Sequence, residues 1–192
     1  SDVCSSDLGE ERFAIRNRAR EQFGTIEVGP AVKALEKVLA TSKSSQQRLH
    51  AVWALSRIDD NKARRATRSA LADTDEVVRQ AALHTISVHR DLAAGVELTA
   101  MLASDSEHNR RAAAEALGRI GSPADVSTLL DAIANCQDRS LQHSLTYAVM
   151  EIGGAEEIHR VMLATTNAQV RRAGLIALDQ MESDILSADE VL

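Results

Sequence analysis

Aromatic side chains are nearly missing from this chain: one Trp, one Tyr and two Phe make up 2% of its 192 residues. Only two Pro and nine Gly occur, so the turn signals that an all-β fold requires are scarce along with the strand-favouring aromatics. Cysteine is limited to Cys4 and Cys136, which leaves Cys136 a lone thiol without a disulfide or metal partner to infer. No apolar run approaches the roughly 18 residues of a membrane-spanning helix, so this segment is not expected to insert into a membrane, and no secretory signal opens the chain. Positive charge is also in deficit. A formal net charge of −6 disfavours a general nucleic-acid binder, whose affinity depends on clustered Lys and Arg displacing counterions. The basic runs at 12–20 and 62–68 read as solvated helix faces.

What is abundant is small and aliphatic. With 44% hydrophobic residues and almost no aromatics, a core must be built from Ala, Leu, Val and Ile, which suit closely packed helices. The first eight residues, Ser1-Asp2-Val3-Cys4-Ser5-Ser6-Asp7-Leu8, resemble the translation of a sequencing adapter joined to a partial reading frame. Residues 1–8 are therefore set apart as an artefact, and 9–192 are read as the domain. Residues 187–192 begin another helix and stop, so both ends read as truncated, and the bared ends of the stack are expected to lower solubility or to associate end to end.

Self-comparison gives the strongest signal. A segment of the form Arg-x-x-Ala-x-x-Ala-Leu-x-x-Ile recurs at Arg48, Arg79, Arg110 and Arg171, more weakly at Arg16, and with glutamine at Gln142, at intervals of 32, 31, 31, 32 and 29 residues. Seven residues after the arginine stand Phe23, Leu55, Ile86, Leu117, Val149 and Leu178. Three after it stand Ala19, Ala51, Ala82, Ala113, Leu145 and Gly174, and ten after it Ile26, Ile58, His89, Ile120, Ile152 and Met181. Spacings of three, seven and ten trace one stripe of an α-helix, with small residues where a neighbouring helix comes close. Shorter amphipathic segments at 30–41, 62–73, 92–104, 123–135 and 155–165 supply the first helix of each hairpin. Pro30 and Pro123 sit at helix starts, with Ser122 a cap for the second, and Gly153-Gly154 and Asp59-Asp60-Asn61 suit tight links. One hairpin cannot bury its stripe alone, so neighbours stack. The fold class is all-α, an α-solenoid of about six helical hairpins of the HEAT/armadillo kind.

This pattern resembles the HEAT repeat family, including its short bacterial variety related to phycobilisome lyases. The resemblance implies an Asp in the turn between paired helices and an Arg six residues on, forming a ladder; Asp73 and Arg79 match, whereas Ser42, Ser104 and Thr165 hold the Asp position elsewhere. The stretches Arg48-Leu49-His50-Ala51-Val52-Trp53-Ala54-Leu55, Val78-Arg79-Gln80-Ala81-Ala82-Leu83-His84 and His143-Ser144-Leu145-Thr146-Tyr147-Ala148 are similar to the HEAT region of large bacterial haem-binding, membrane-bound-dehydrogenase-like proteins. That resemblance implies a spacer between redox domains and a periplasmic or exported location. No Cys-x-x-Cys-His motif is present to attach haem.

Chemistry is sparse. The six histidines, His50, His84, His89, His108, His143 and His159, fall in different columns, and no His-Glu-x-x-His motif joins any two. Neither a Gly-x-Ser-x-Gly elbow nor a phosphate loop occurs, and Gly118-Arg119-Ile120-Gly121 reads as a helix stop. No catalytic residue, metal or cofactor is expected. Function is sought instead on the second helices, in columns the stripe leaves free. Five residues after the arginine stand Glu21, Trp53, His84, Glu115, Tyr147 and Ile176; nine after it, Thr25, Arg57, Val88, Arg119, Glu151 and Gln180. Trp53, Arg57, His84, Glu115, Arg119, Tyr147 and Glu151 form a candidate partner-binding strip, since exposed Trp, Tyr and Arg are enriched at binding hot spots. The arginines Arg48, Arg79, Arg110 and Arg171 are read as structural, tying helices to turns with Asp73. The reading is a noncatalytic scaffold for a protein partner or neighbouring domains of its own chain; the rivals are a bilin or haem lyase and, behind it, a DNA-binding protein.

Overall fold

The computed structural model describes residues 17–18, 27–104, 106–181 and 185–186. The expectations for residues 1–8 and 187–192, and for Arg16, Ala19, Glu21, Phe23, Thr25 and Ile26, lie outside the described residues. Within them the chain is helix after helix, with no strand, and it divides into two compact units, Ser1–His89 and Arg90–Leu192.

The first unit holds α1 (Val28–Thr41), α2 (Ser45–Leu55), α3 (Asn61–Ser69), which tightens into a 3-10 turn (Ala70–Ala72), and α4 (Glu76–His89). In the second, a 3-10 turn (Leu92–Ala94) leads into α5 (Gly95–Met101), followed by α6 (Glu107–Ile120). Another 3-10 turn (Pro123–Asp125) leads into α7 (Val126–Ala134), then α8 (Arg139–Ile152), α9 (Ala155–Ala164) and α10 (Ala168–Gln180). The five expected first helices are all present. Pro30 falls in the first turn of α1, where a missing N–H leaves no bond unmade.

The repeat columns sort by burial as their spacing requires. Ala51, Ala82, Ala113 and Leu145 in one column, and Leu55, Ile86, Leu117, Val149 and Leu178 in the next, are all essentially inaccessible. In the first unit Ala51 and Leu55 of α2 join Ala31, Val32, Leu35 and Val38 of α1 and Ala63 and Ala66 of α3 in one apolar cluster. In the second the two columns meet Leu129, Leu130 and Ile133 of α7 and Ile158 and Met162 of α9 among the buried residues. His89, the one polar member of its column, directs Nε2 to within 2.8 Å of the Ser56 carbonyl.

Each second helix starts on a capping residue four positions before the arginine column. Ser44, Asp75, Ser106, Asp138 and Asn167 accept N–H groups from the first turns of α2, α4, α6, α8 and α10 respectively. Two positions earlier, Ser42, Asp73, Ser104 and Thr165 each accept the N–H of that capping residue, a side-chain turn that stops the preceding helix. Thus the serines and threonine that stand in the Asp column keep its turn-forming role.

Two glycine readings need correction or refinement. Gly118 is not part of a helix stop: it lies buried inside α6, where a Cβ would come 3.0 Å from the Ala148 Cα and 2.6 Å from a Glu151 carboxylate oxygen. Its lack of a side chain lets α6 and α8 close up. Gly121 does end α6, donating its N–H to the Leu117 carbonyl. Gly153 and Gly154, at φ of 77° and 84°, make the left-handed link between α8 and α9 that other residues rarely adopt. At the start of α7's turn, Ser122 is the donor: its N–H and hydroxyl both bond to the Asp125 carboxylate, at 2.8 and 3.0 Å.

Candidate functional site

The repeat arginines point into the turns. Arg48 Nε and Nη2 donate to the two Asp73 carboxylate oxygens at 2.7 and 2.8 Å, and its Nη1 donates to the Ser42 carbonyl at 2.9 Å. Arg79 Nη1 donates to the Asp73 carbonyl at 2.7 Å. The carboxylate pairing therefore runs from one repeat to the next, Arg48 to Asp73, while the arginine six residues after Asp73 takes its backbone oxygen. Both partners are largely enclosed, with 11% and 7% of their side chains exposed. The Arg48 guanidinium, aided by the Asp75 N–H and the charge of Arg79, holds the Asp73 carboxyl below the usual carboxylate range despite its burial. The same hydrogen bond raises Arg48 further above its ordinary value.

Other members of the column repeat the bond without the charge pair. Gln142 Nε2 donates to the Cys136 carbonyl at 2.6 Å, six residues back as in Arg48 and Arg79, and Arg110 Nε donates to the Leu102 carbonyl at 2.9 Å. Arg171 departs from the column. It is exposed, and its turn is held by Asn167, whose side-chain amide donates to the Ala134 carbonyl at 3.0 Å.

The candidate strip lies on the opposite account from these buried columns. In the first unit α2 carries Trp53, half-buried, and α4 carries His84, exposed; their rings meet edge to face at 5.7 Å between centroids. Arg57 and Val88, four residues further on their respective repeats, are exposed.

In the second unit Glu115 and Arg119 of α6 and Tyr147 and Glu151 of α8 are all exposed, and together with His143 and Ser144 they line one cleft of about 300 Å³. Glu115 sits 3.7 Å from Arg111 and accepts the Ser144 hydroxyl at 3.4 Å. Tyr147 keeps 49% of its surface accessible, and the Glu151 carboxylate lies beside Gly118. Ile176 of α10, the next member of the Tyr147 column, is also exposed.

Sequence reasoning passed over two arginines next to this cleft, Arg139 and Arg172, which line a neighbouring groove together with His143. For His143 and Arg172 the signal was available one position after the arginine column, which reads Leu49 and Gln80 in the first unit and Arg111, His143 and Arg172 in the second. The basic run at 62–68 is a helix face in which Lys62 and Arg65 are exposed and Arg64 pairs with Asp59. Cys136 is buried, its Sγ 3.4 Å from the Asp138 carbonyl. Among the described residues no three His, Cys, Asp or Glu side chains gather as metal ligands, and no helix is long and apolar enough to cross a membrane.

Comparison with known proteins agrees with this architecture. The family of HEAT repeats matches at residues 8–87, 32–115 and 93–150. Among solved structures, the complex of CpcE and CpcF of phycocyanin lyase from Nostoc sp. PCC7120 superposes with a TM-score of 0.58 at 21% identity, over 92% of this chain and 75% of that one. An engineered protein gives 0.53 at 20% identity, over 95% and 99% of the two chains. A designed armadillo repeat protein in complex with the peptide (KR)4 gives 0.52 at 16%, over 92% and 97%. No curated protein sequence matches. These likenesses lend no support to a haem-binding dehydrogenase context; at such identities the structural ones establish the fold alone. With matches that together run from residue 8 to residue 150, the chain belongs to the HEAT repeat family.

Proposed function

We propose that this chain is a noncatalytic scaffold that binds a protein or peptide segment, from a partner or from a neighbouring domain, on the exposed columns of its second helices. The observation that carries the reading is the split between columns. Those three and seven residues after the repeat arginine are uniformly buried, whereas those five and nine after it are varied and, apart from the half-buried Trp53, exposed, holding Arg57 and His84 in one unit and Glu115, Arg119, Tyr147 and Glu151 in the other. A repeated core demands sameness; a face that meets a partner does not. Aromatic and arginine side chains are the types that anchor protein interfaces. The designed armadillo relative holds a peptide, a precedent for stacked helices receiving a polypeptide chain.

The phycocyanin lyase likeness suggests a bilin-handling alternative, but a tetrapyrrole needs most of its surface enclosed in a pocket typically of ~300–1,000 Å³. The strip's cleft is at the bottom of that range, about 300 Å³, and the thiol Cys136 is buried.

Selection of a displayed random peptide library against the wild-type protein and an Arg119→Ala/Tyr147→Ala variant tests the proposal. Peptides enriched on the wild type should bind the variant about tenfold more weakly or worse, while the two proteins melt alike. Equal binding by both would overturn the assignment of the strip.

A further inference from the structure

The second unit holds a groove of about 320 Å³ adjoining the Tyr147 cleft, between the faces of α8 and α10. Arg139 and His143, one helical turn apart on α8, line it together with Arg172 of α10. Gln142, Thr146 and Gln169 supply its neutral polar wall, and no Asp or Glu is among the residues that line it. All three cationic or titratable side chains are exposed, and among the described residues neither Arg139 nor Arg172 is engaged in an ion pair. A third depression joins Arg139 and His143 to Arg111 of α6. The column that is neutral in the first unit, at Leu49 and Gln80, thus turns basic on three successive second helices.

In a protein of net charge −6, Arg139 and Arg172 share one groove with no carboxylate in its lining, so they lack the Coulomb stabilisation that an acid placed there would give. That arrangement suits an anion supplied from outside. One feature selects its kind. Glu115 and Glu151 line the adjoining cleft on α6 and α8, so a continuous phosphodiester backbone leaving the basic groove meets carboxylates at once. A peptide, whose charges are discrete, places an acid against the arginines and a neutral or basic residue beyond them.

We propose that this groove receives the acidic side chains of an extended peptide segment, with Arg139, His143 and Arg172 as the carboxylate-binding residues. The proposal rests on the scaffold reading above and names the chemistry of the partner. Arginine suits the role because its planar fork meets a carboxylate through paired hydrogen bonds.

Fluorescein-labelled octaglutamate, titrated at low and high salt into the wild type and an Arg139→Glu/Arg172→Glu variant, provides the test. The wild type should bind at low salt, weaken as salt rises, and exceed the variant by about tenfold or more, with octalysine showing the reverse preference. Both substitutions are at exposed positions, and matching thermal melts confirm that the variant folds. Equal octaglutamate affinity in the two proteins would overturn the proposal. So would a single-stranded oligothymidylate that binds through the same arginines more tightly than octaglutamate, or inorganic phosphate that competes as well as the peptide. If the library selection above enriches peptides without acidic bias that still depend on Arg119 and Tyr147, the scaffold reading stands and this inference falls. If nothing is enriched and octaglutamate does not bind, both fall.

Discussion

In the first unit the turn before α4 is held by charge: Asp73 joins Arg48 of the preceding repeat through two hydrogen bonds and offers its carbonyl to Arg79. In the second, the same position before α8 is held by the neutral amide of Gln142 on the Cys136 carbonyl. Both reach six residues back. What the repeat preserves is a donor for the carbonyl left unmatched where the first helix ends, and the ion pair is an addition made where an aspartate is present. The surfaces differ in parallel, with a Trp53 and His84 ring pair in the first unit and a charged cleft with a basic groove in the second.

Substitutions that attack this contrast should rank by how much uncompensated charge or volume they leave. Asp73→Ala strands the enclosed Arg48 guanidinium and removes the turn's acceptor, an expected loss of about 3 kcal/mol. Trp53, the sole tryptophan, reports the melting of the first unit by fluorescence. Gly118→Val forces branched bulk against the Ala148 backbone, where even a Cβ stands at 3.0 Å, and should cost about 2 kcal/mol. The sole tyrosine, Tyr147, reports that loss in the second unit. Gln142→Leu removes one neutral hydrogen bond and should cost about 1 kcal/mol. A Gln142→Leu loss as large as that of Asp73→Ala would erase the distinction drawn between the turns.

Acid should separate the units as well. Because Arg48 lowers the Asp73 pKa in the folded protein, the pair's contribution is complete above the ordinary aspartate value of about 3.9. It is lost as pH falls through the lowered folded value. Replacing Asp73 with Asn should flatten that part of the acid unfolding curve followed at Trp53. An unchanged curve would mean that other carboxylates dominate.

The hairpins were legible because their period survives at Leu55, Ile86, Leu117, Val149 and Leu178, positions where burial permits little variety. The capping column Ser44, Asp75, Ser106, Asp138 and Asn167 was equally periodic, but its members differ in residue type and agree only in having a short side-chain acceptor. Gly118 misled because glycine after a helical stretch usually signals an end; only the neighbouring Ala148 reveals a close approach. The repeat-to-repeat pairing of Arg48 with Asp73 joins residues 25 apart in sequence, and spacing within one repeat points to Arg79 instead. The exposure of the strip followed from helical geometry except at Trp53, which is half-buried beside His84, whereas the groove of Arg139, His143 and Arg172 combines two columns that no single period links.

The most direct test of the division between buried, structural positions and an exposed binding face is to measure peptide affinity and melting on the same two proteins, Asp73→Ala and Arg119→Ala/Tyr147→Ala. The account predicts that Asp73→Ala melts earlier yet binds library-selected peptides as the wild type does, and that Arg119→Ala/Tyr147→Ala melts as the wild type does, within about 0.5 kcal/mol, yet loses binding. Full binding by the strip variant would contradict it.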